Sequence, residues 1–322
     1  MSPTTDHPPA AARAPSFIAT RCPGASAPPR SPAQPVPRLS PCVDALHREA
    51  PPHPPRPSRA ALLAAIDDGA IIPVFQPQVT LRGGALLGFE ALARWRLPTG
   101  ELLPPAAFLG PAAAMGLIER IDDAVLRGAL DRLRAWRGQG IEVPRVSVNV
   151  SAAALRDPRW LDRLQLHLDE RDLVPADIAV EIVESVLIED DNDVAIRNVR
   201  AMARAGVVVE LDDFGSGHAA FANLLRLDLR ALKLDRALAR HLGTDGRSET
   251  VIRAVAAMAT ELGLGTIAEG AESAADIARL AALGCDAVQG YAIARPMPGE
   301  DATRWLAAAP DLLAGPASGL RA

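Results

Sequence analysis

The sequence predicts an α/β protein built as a (β/α)8 TIM-like barrel with an antiparallel first strand. Three observations carry that prediction. Short β-branched runs alternate with amphipathic stretches through the C-terminal two thirds, the mark of a parallel sheet under helical cover. About eight strands fall within roughly 265 residues, which suits a closed barrel better than an open doubly wound sheet. A hairpin signal at the start is irregular for such a barrel and supplies the antiparallel strand. No Gly-rich dinucleotide fingerprint follows any strand, which weakens a Rossmann alternative.

Residues 1–57 hold more than half of the chain's 29 prolines. That composition cannot bury enough apolar surface to offset its ordering entropy, so a disordered Pro-rich extension is expected. The run Pro51-Pro52-His53-Pro54-Pro55 leaves a docking role open. The barrel is expected over 58–312 and a flexible tail over 313–322. Ser58 can cap a helix running to Ile66, closed by Gly69. Strands follow at Ile71–Val79 and Ala85–Trp95 around Leu81-Arg82-Gly83-Gly84, then a helical region from Pro104 to Gly138 broken near Gly116. Further strands are expected near Arg145–Val150, Ile178–Val183, Val207–Asp212, Ala231–Leu234, Thr266–Glu269 and Ala287–Gln289. Helices are expected near Pro158–Leu168, Asp193–Ala205, Ala219–Leu225, Glu249–Leu262, Ala274–Leu283 and Gly299–Ala308.

Composition excludes several classes. A net charge of −5 argues against binding to DNA or RNA duplexes. Cys22, Cys42 and Cys285 share no metal-ligand spacing and read as thiols of a reducing compartment. No apolar run reaches signal-peptide or bilayer-spanning length, so a cytoplasmic protein without membrane contact is expected.

In a β/α barrel, chemistry gathers at the C-terminal ends of the strands. The predicted strands close on, or carry late, Glu90, Asn149, Glu181, Asp212 with Asp213, Lys233, Glu269 and Gln289. One such residue is usually a cap or a turn former, and Asp212-Asp213 alone could be either. Seven strands doing the same would converge carboxylates on one point, which calls for cations. Hard oxygen donors without His or Cys favour Mg²⁺ or Mn²⁺, and adjacent aspartates suit a pair of ions. The six histidines are dispersed, with His218 alone near the proposed site. Rare residues gather there as well: Lys233 is the only lysine and Tyr291 the only tyrosine.

The string Phe89-Glu90-Ala91-Leu92-Ala93-Arg94-Trp95 resembles the signature of the EAL-domain family of cyclic di-GMP phosphodiesterases. The same order of motifs continues through Ser147-Val148-Asn149-Val150-Ser151, Glu181-Ile182-Val183-Glu184-Ser185 and Asp212-Asp213-Phe214-Gly215. It runs on through Leu232-Lys233-Leu234-Asp235, Ala268-Glu269-Gly270 and Gln289-Gly290-Tyr291. Seven motifs in order, over about Ile71 to Pro298, are far more specific than any one alone. The resemblance implies hydrolysis of cyclic di-GMP to linear pGpG, two Mg²⁺ or Mn²⁺ ions and often a homodimer. It implies that Glu90, Asn149, Glu181 and Asp212 hold one ion, with Asp212 bridging to a second near Asp213. Lys233, Glu269 and Gln289 would serve catalysis, Lys233 at the attacking water or Glu269 as base, while Glu184 braces the loop after Asp213. Gln76, Leu92, Arg94, Asp235 and Tyr291 would contact the nucleotide.

The chain departs from the family pattern at Val183, where Thr is usual, and at Ser216-Gly217-His218-Ala219-Ala220. Ser216 keeps a hydroxyl, whereas His218, Ala219 and Ala220 remove hydrogen-bonding groups. A receptor that binds cyclic di-GMP or a protein partner without turnover is therefore the alternative. An unrelated enolate-forming barrel is disfavoured, because its Lys or His base pair is missing.

Overall fold

The computed structural model describes residues 57–183, 193–214, 224, 226–244 and 246–308, all within one unit spanning His53–Ala322. The expected extension and tail, the helix at 219–225, the loop 216–220, Glu184, Cys22 and Cys42 lie outside the described residues, wholly or nearly so.

Nine strands form one sheet: β1 (Ile71–Thr80), β2 (Leu86–Arg96), β3 (Leu102–Leu103), β4 (Val146–Asn149), β5 (Ile178–Val183), β6 (Val208–Phe214), β7 (Ala231–Leu234), β8 (Gly265–Glu269) and β9 (Ala287–Gln289). All but β3 close into an eight-stranded barrel, and the two-residue β3 pairs only with the end of β2. From β2 through β9 the barrel strands are parallel. β1 runs antiparallel to both of its neighbours, as expected from the hairpin signal. Its seam with β9 is short, Val79 against Val288 and Thr80 against Ala287. Beyond it the β1 edge pairs instead with Met297, through Phe75 N to Met297 O at 2.7 Å.

Alternation along each strand sends one set of side chains into the barrel and the other under the helices. On β1 the inward set contains Gln76 and Gln78, and the outward set contains Phe75. Phe75 and Phe89 both meet Trp136 of α3 (Ile118–Gly138) at 5.1 Å between ring centroids. In a chain with 3% aromatic residues, this cluster clamps α3 onto the antiparallel pair. α1 (Arg59–Asp67) begins at Ser58, whose hydroxyl accepts from Ala61 N at 3.2 Å. The region 104–138 is broken at Gly116, with α2 (Leu109–Ala114) before it. Next come α4 (Ala152–Leu155), α5 (Trp160–Asp169) and α6 (Val194–Arg204). Then follow α7 (Arg236–Ala239), α8 (Gly246–Glu261), α9 (Ala274–Leu283) and α10 (Gly299–Ala308). α4 and α7 are absent from the sequence reading because one helical turn is too short to show a period.

The strand expected to end at Asp212 runs further. β6 continues through Phe214, but its register against β7 shifts between Leu211 and Phe214. Asp213 sits there with φ of 54°, a left-handed conformation that Asp tolerates better than most residues. Gly290 is demanded by a close approach of two loops, since a Cβ there would lie 2.2 Å from Ala271 O. Gly290→Ala is expected to destabilise the protein by about 1–3 kcal/mol in urea unfolding. Gly138→Ala, in open space on α3, is expected to be neutral or to stabilise by up to about 1 kcal/mol. Equal effects at the two positions would contradict this account.

Candidate active site

The barrel mouth is organised around Lys233, whose side chain is 1% exposed. Its Nζ lies 2.8 Å from Glu181 Oε2, 2.7 Å from Glu269 Oε1, 3.3 Å from Asp212 Oδ1 and 3.6 Å from Glu90 Oε2. β2, β5, β6 and β8 thus each deliver one carboxylate to the ammonium carried by β7. Asn149 Nδ2 bridges two of them, donating to Glu90 Oε1 at 2.8 Å and to Glu181 Oε2 at 3.2 Å. Register explains part of the convergence: Asn149 is the cross-strand neighbour of Glu181, and Glu269 of Gln289. The bulge in β6 accounts for Asp213. In a regular strand Asp213 would face away from Asp212, but at a positive φ within the shifted register its carboxyl remains close to Asp212, Asp235 and Lys233.

A ladder of amides completes the wall. Gln78 Nε2 donates to Gln289 Oε1 at 2.9 Å, and Gln289 Nε2 donates to Gln76 Oε1 at 3.0 Å and to Glu90. Gln76 Nε2 in turn donates to Ala294 O at 3.0 Å. The sequence reading missed Gln78, although its i+2 spacing from Gln76 is the signal that would have found it. It also missed Asp122 of α3, which accepts from Ser151 N at 3.0 Å and fixes the turn after Asn149.

Four carboxylates against one ammonium leave an excess of negative charge in a buried place. Burial first, then Glu90, pushes Glu181 well above the usual carboxylate range. Burial raises Glu269 to about 7 against the pull of Lys233, and burial with Asp212 raises Asp213 to about 6. Burial opposes the Lys233 charge, yet the surrounding carboxylates hold the ammonium well above its ordinary range. Burial also works against Glu90, but Lys233 and its hydrogen bonds bring it below the ordinary value.

A cavity of about 280 Å³ opens beside the mouth. Gln76, Leu92, Arg94, Glu269, Gln289 and Tyr291 line it, so four of the five expected nucleotide contacts gather there. Asp235, the fifth, is absent from this lining: it caps α7, accepting from Ala237 N at 2.6 Å, and lies against Asp213. Arg236, Arg240 and Glu272 also face the cavity and were not singled out from sequence. Tyr291 is stacked under the Arg295 guanidinium, 4.1 Å from its ring centroid.

Among the described residues, no three Asp, Glu, His or Cys side chains stand ready around an ion. Part of the positive charge expected from sequence is Lys233 itself. The donor set nevertheless fits a hard dication: Glu90, Glu181 and Asp212 with the Asn149 carboxamide, and Asp213 alongside. Their oxygens would be released from Nζ and Nδ2 to hold it, and the charge excess favours the exchange.

The raised carboxyl groups set a pH dependence. Glu269 and Asp213 bind protons more tightly folded than unfolded. Their stabilising contribution is full below the ordinary carboxylate range and is lost as pH rises through about 6 to 7. The metal-free protein is therefore expected to melt lower at about pH 8 than at about pH 5, and Mg²⁺ is expected to reverse the loss. A metal-free melting temperature that rises over that interval would contradict the charge excess.

The EAL domain family model matches residues 59–296. PdeR, a cyclic di-GMP phosphodiesterase of Escherichia coli K12, is 36% identical over 244 residues, covering 76% of this chain and 36% of that protein. NbdA, a cyclic di-GMP phosphodiesterase of Pseudomonas aeruginosa, is 36% identical over 237 residues, covering 74% of this chain and 30% of that protein. The chain thus spans about a third of the length of these relatives. The solved PaMucR phosphodiesterase in its c-di-GMP complex superposes with a TM-score of 0.70 at 32% identity, covering 75% of this chain and 97% of that one. The chain belongs to the EAL-domain family.

Proposed function

We propose that this protein is a metal-dependent phosphodiesterase that hydrolyses cyclic di-GMP to linear pGpG. The observation that carries the reading is the convergence of Glu90, Glu181, Asp212 and Glu269 on Lys233 beside a cavity lined by Arg94, Gln76 and Tyr291. The likeness to PdeR, NbdA and the c-di-GMP complex of PaMucR supports it. In this reading Glu90, Asn149, Glu181 and Asp212 hold one of two Mg²⁺ or Mn²⁺ ions, and Asp212 with Asp213 reaches the other. Such ions would neutralise the phosphate and stabilise the charge that develops during in-line displacement.

The chain's own groups do the remaining work. Arg94 and Gln76 orient the nucleotide, with Leu92 and Tyr291 as walls and Asp235 placing Asp213. A water oxygen bonds to phosphorus while the P–O3′ bond breaks, leaving a 5′-phosphate and a free 3′-hydroxyl. Glu269, 2.7 Å from Lys233, accepts the water proton, and the departing 3′-oxygen takes a proton from solvent. Lys233 places its ammonium against the reacting oxygen, and Gln289 anchors the carboxylate of Glu90. Glu184 braces the loop after Asp213. The catalytic unit occupies 58–312, between the Pro-rich extension 1–57 and the tail 313–322, and works in the cytoplasm as a homodimer.

The receptor reading rests on the departure from the family pattern at Ser216-Gly217-His218-Ala219-Ala220. Incubation with cyclic di-GMP and Mg²⁺ or Mn²⁺, with chromatography for pGpG, separates the two. Turnover lost in Glu90→Ala and Asp212→Asn supports the enzyme, whereas tight binding without product under either ion supports the receptor. Lys233→Arg is expected to lower kcat by about 100-fold or more, because a planar guanidinium cannot replace the compact ammonium. Glu269→Gln is expected to lower kcat by about 100-fold. Arg240→Ala is expected to raise KM roughly 10-fold with kcat little changed, a split read directly from steady-state kinetics.

A further inference from the structure

Below the mouth lies a second charged pair that the catalytic scheme leaves unused. Glu210 precedes Asp212 by two residues on β6, shares its inward face and is fully buried. Its register partner on β5 is Glu181. Arg145 immediately precedes β4, four residues below Asn149, and its side chain is 12% exposed. Its Nη2 lies 3.6 Å from Glu210 Oε1. Neither Glu210 oxygen, nor Arg145 Nε or Nη2, has a hydrogen-bond partner among the described residues. Gly88 of β2 lets the backbone at Arg145 come close, since a Cβ there would lie 2.7 Å from Arg145 O and 3.1 Å from its Cγ.

Two opposite charges held this deep and hydrogen-bonded to nothing described contribute little to stability beyond what apolar residues would. Their orientation is the informative feature. Glu210 is one pleat, about 7 Å, from Asp212. Arg145 enters from the far end of the barrel. The negative end of the pair therefore points at the carboxylates of the mouth and the positive end points away.

We propose that Glu210 and Arg145 form a fixed dipole in the barrel floor that strengthens divalent-cation binding by Glu90, Asn149, Glu181 and Asp212. The proposal rests on the metal-dependent reading above. At this spacing in a protein interior, one uncompensated charge changes dication affinity by roughly 10- to 100-fold even after screening.

The test is calorimetric titration of the metal-free protein and its variants with Mn²⁺ alone, beside thermal unfolding of each. Glu210→Gln leaves Arg145 uncompensated under the mouth and is expected to weaken Mn²⁺ binding by roughly 10- to 100-fold. The double variant Arg145→Met, Glu210→Gln leaves no buried charge unpaired and serves even if the single variant does not fold. Its affinity is expected several-fold below wild type but above Glu210→Gln. Glu210→Asp, which keeps the charge, is expected to bind nearly as wild type does. A double variant that binds as tightly as wild type, or a folded Glu210→Gln that does so, overturns the proposal while leaving the metal-dependent reading intact. A double variant no tighter than a folded Glu210→Gln reduces the pair to packing and overturns it too. A wild type that takes up no Mn²⁺ overturns both.

Discussion

One buried ammonium facing four carboxylates is the constraint on which the rest of the site depends. Lys233 cannot neutralise Glu90, Glu181, Asp212 and Glu269 together, so the mouth is strained electrostatically whenever all four are ionised. The protein relieves that strain in the ways open to it. Glu181, Glu269 and Asp213 have raised pKa values. Asn149 inserts an amide between two of the carboxylates, and Gln289 donates to Glu90. A mouth arranged in this way retains a standing affinity for added positive charge, which couples folding stability, proton binding and cation binding at one place.

The barrel makes that concentration of charge tolerable. Eight strand ends can each supply one polar residue while their outward faces remain apolar, so the cost of the mouth is confined to its own layer. The antiparallel β1 contributes differently from the others. Entering the mouth in the opposite direction, it presents the amides Gln76 and Gln78 where another acid would worsen the excess. Its outward side is fastened by Phe75 against Trp136.

Much of this was legible in the sequence, for definite reasons. Apolar runs such as Ile178–Val183, Ala231–Leu234 and Ala287–Gln289 are bounded by polar breaks, and their limits coincide with the observed strands. The mouth residues were legible because each lies where such a run stops. What escaped notice lacks that mark. Gln78, Glu210 and Arg145 lie inside or before their strands, where only the alternation of faces distinguishes a residue in the barrel from one under a helix. Arg236 and Arg240 reach the cavity from the single turn of α7 and its C-cap, too short to leave a period. The left-handed Asp213 could not be inferred either, because a bulge depends on the register of the neighbouring strand rather than on local composition.

That bulge links the local chain to the chemistry. Two consecutive acids at a strand end would ordinarily part to opposite faces, and one would be lost under the helices. The register shift between Leu211 and Phe214 keeps Asp213 with Asp212 and brings it against Asp235, itself fixed as the cap of α7. Asp213 has the less buried carboxyl, raised to about 6, whereas Glu181 is fully buried. Positive charge arriving from solvent meets Asp213 and Asp212 before it can compete with Lys233 for Glu181, which orders the approach of cations from the rim inward.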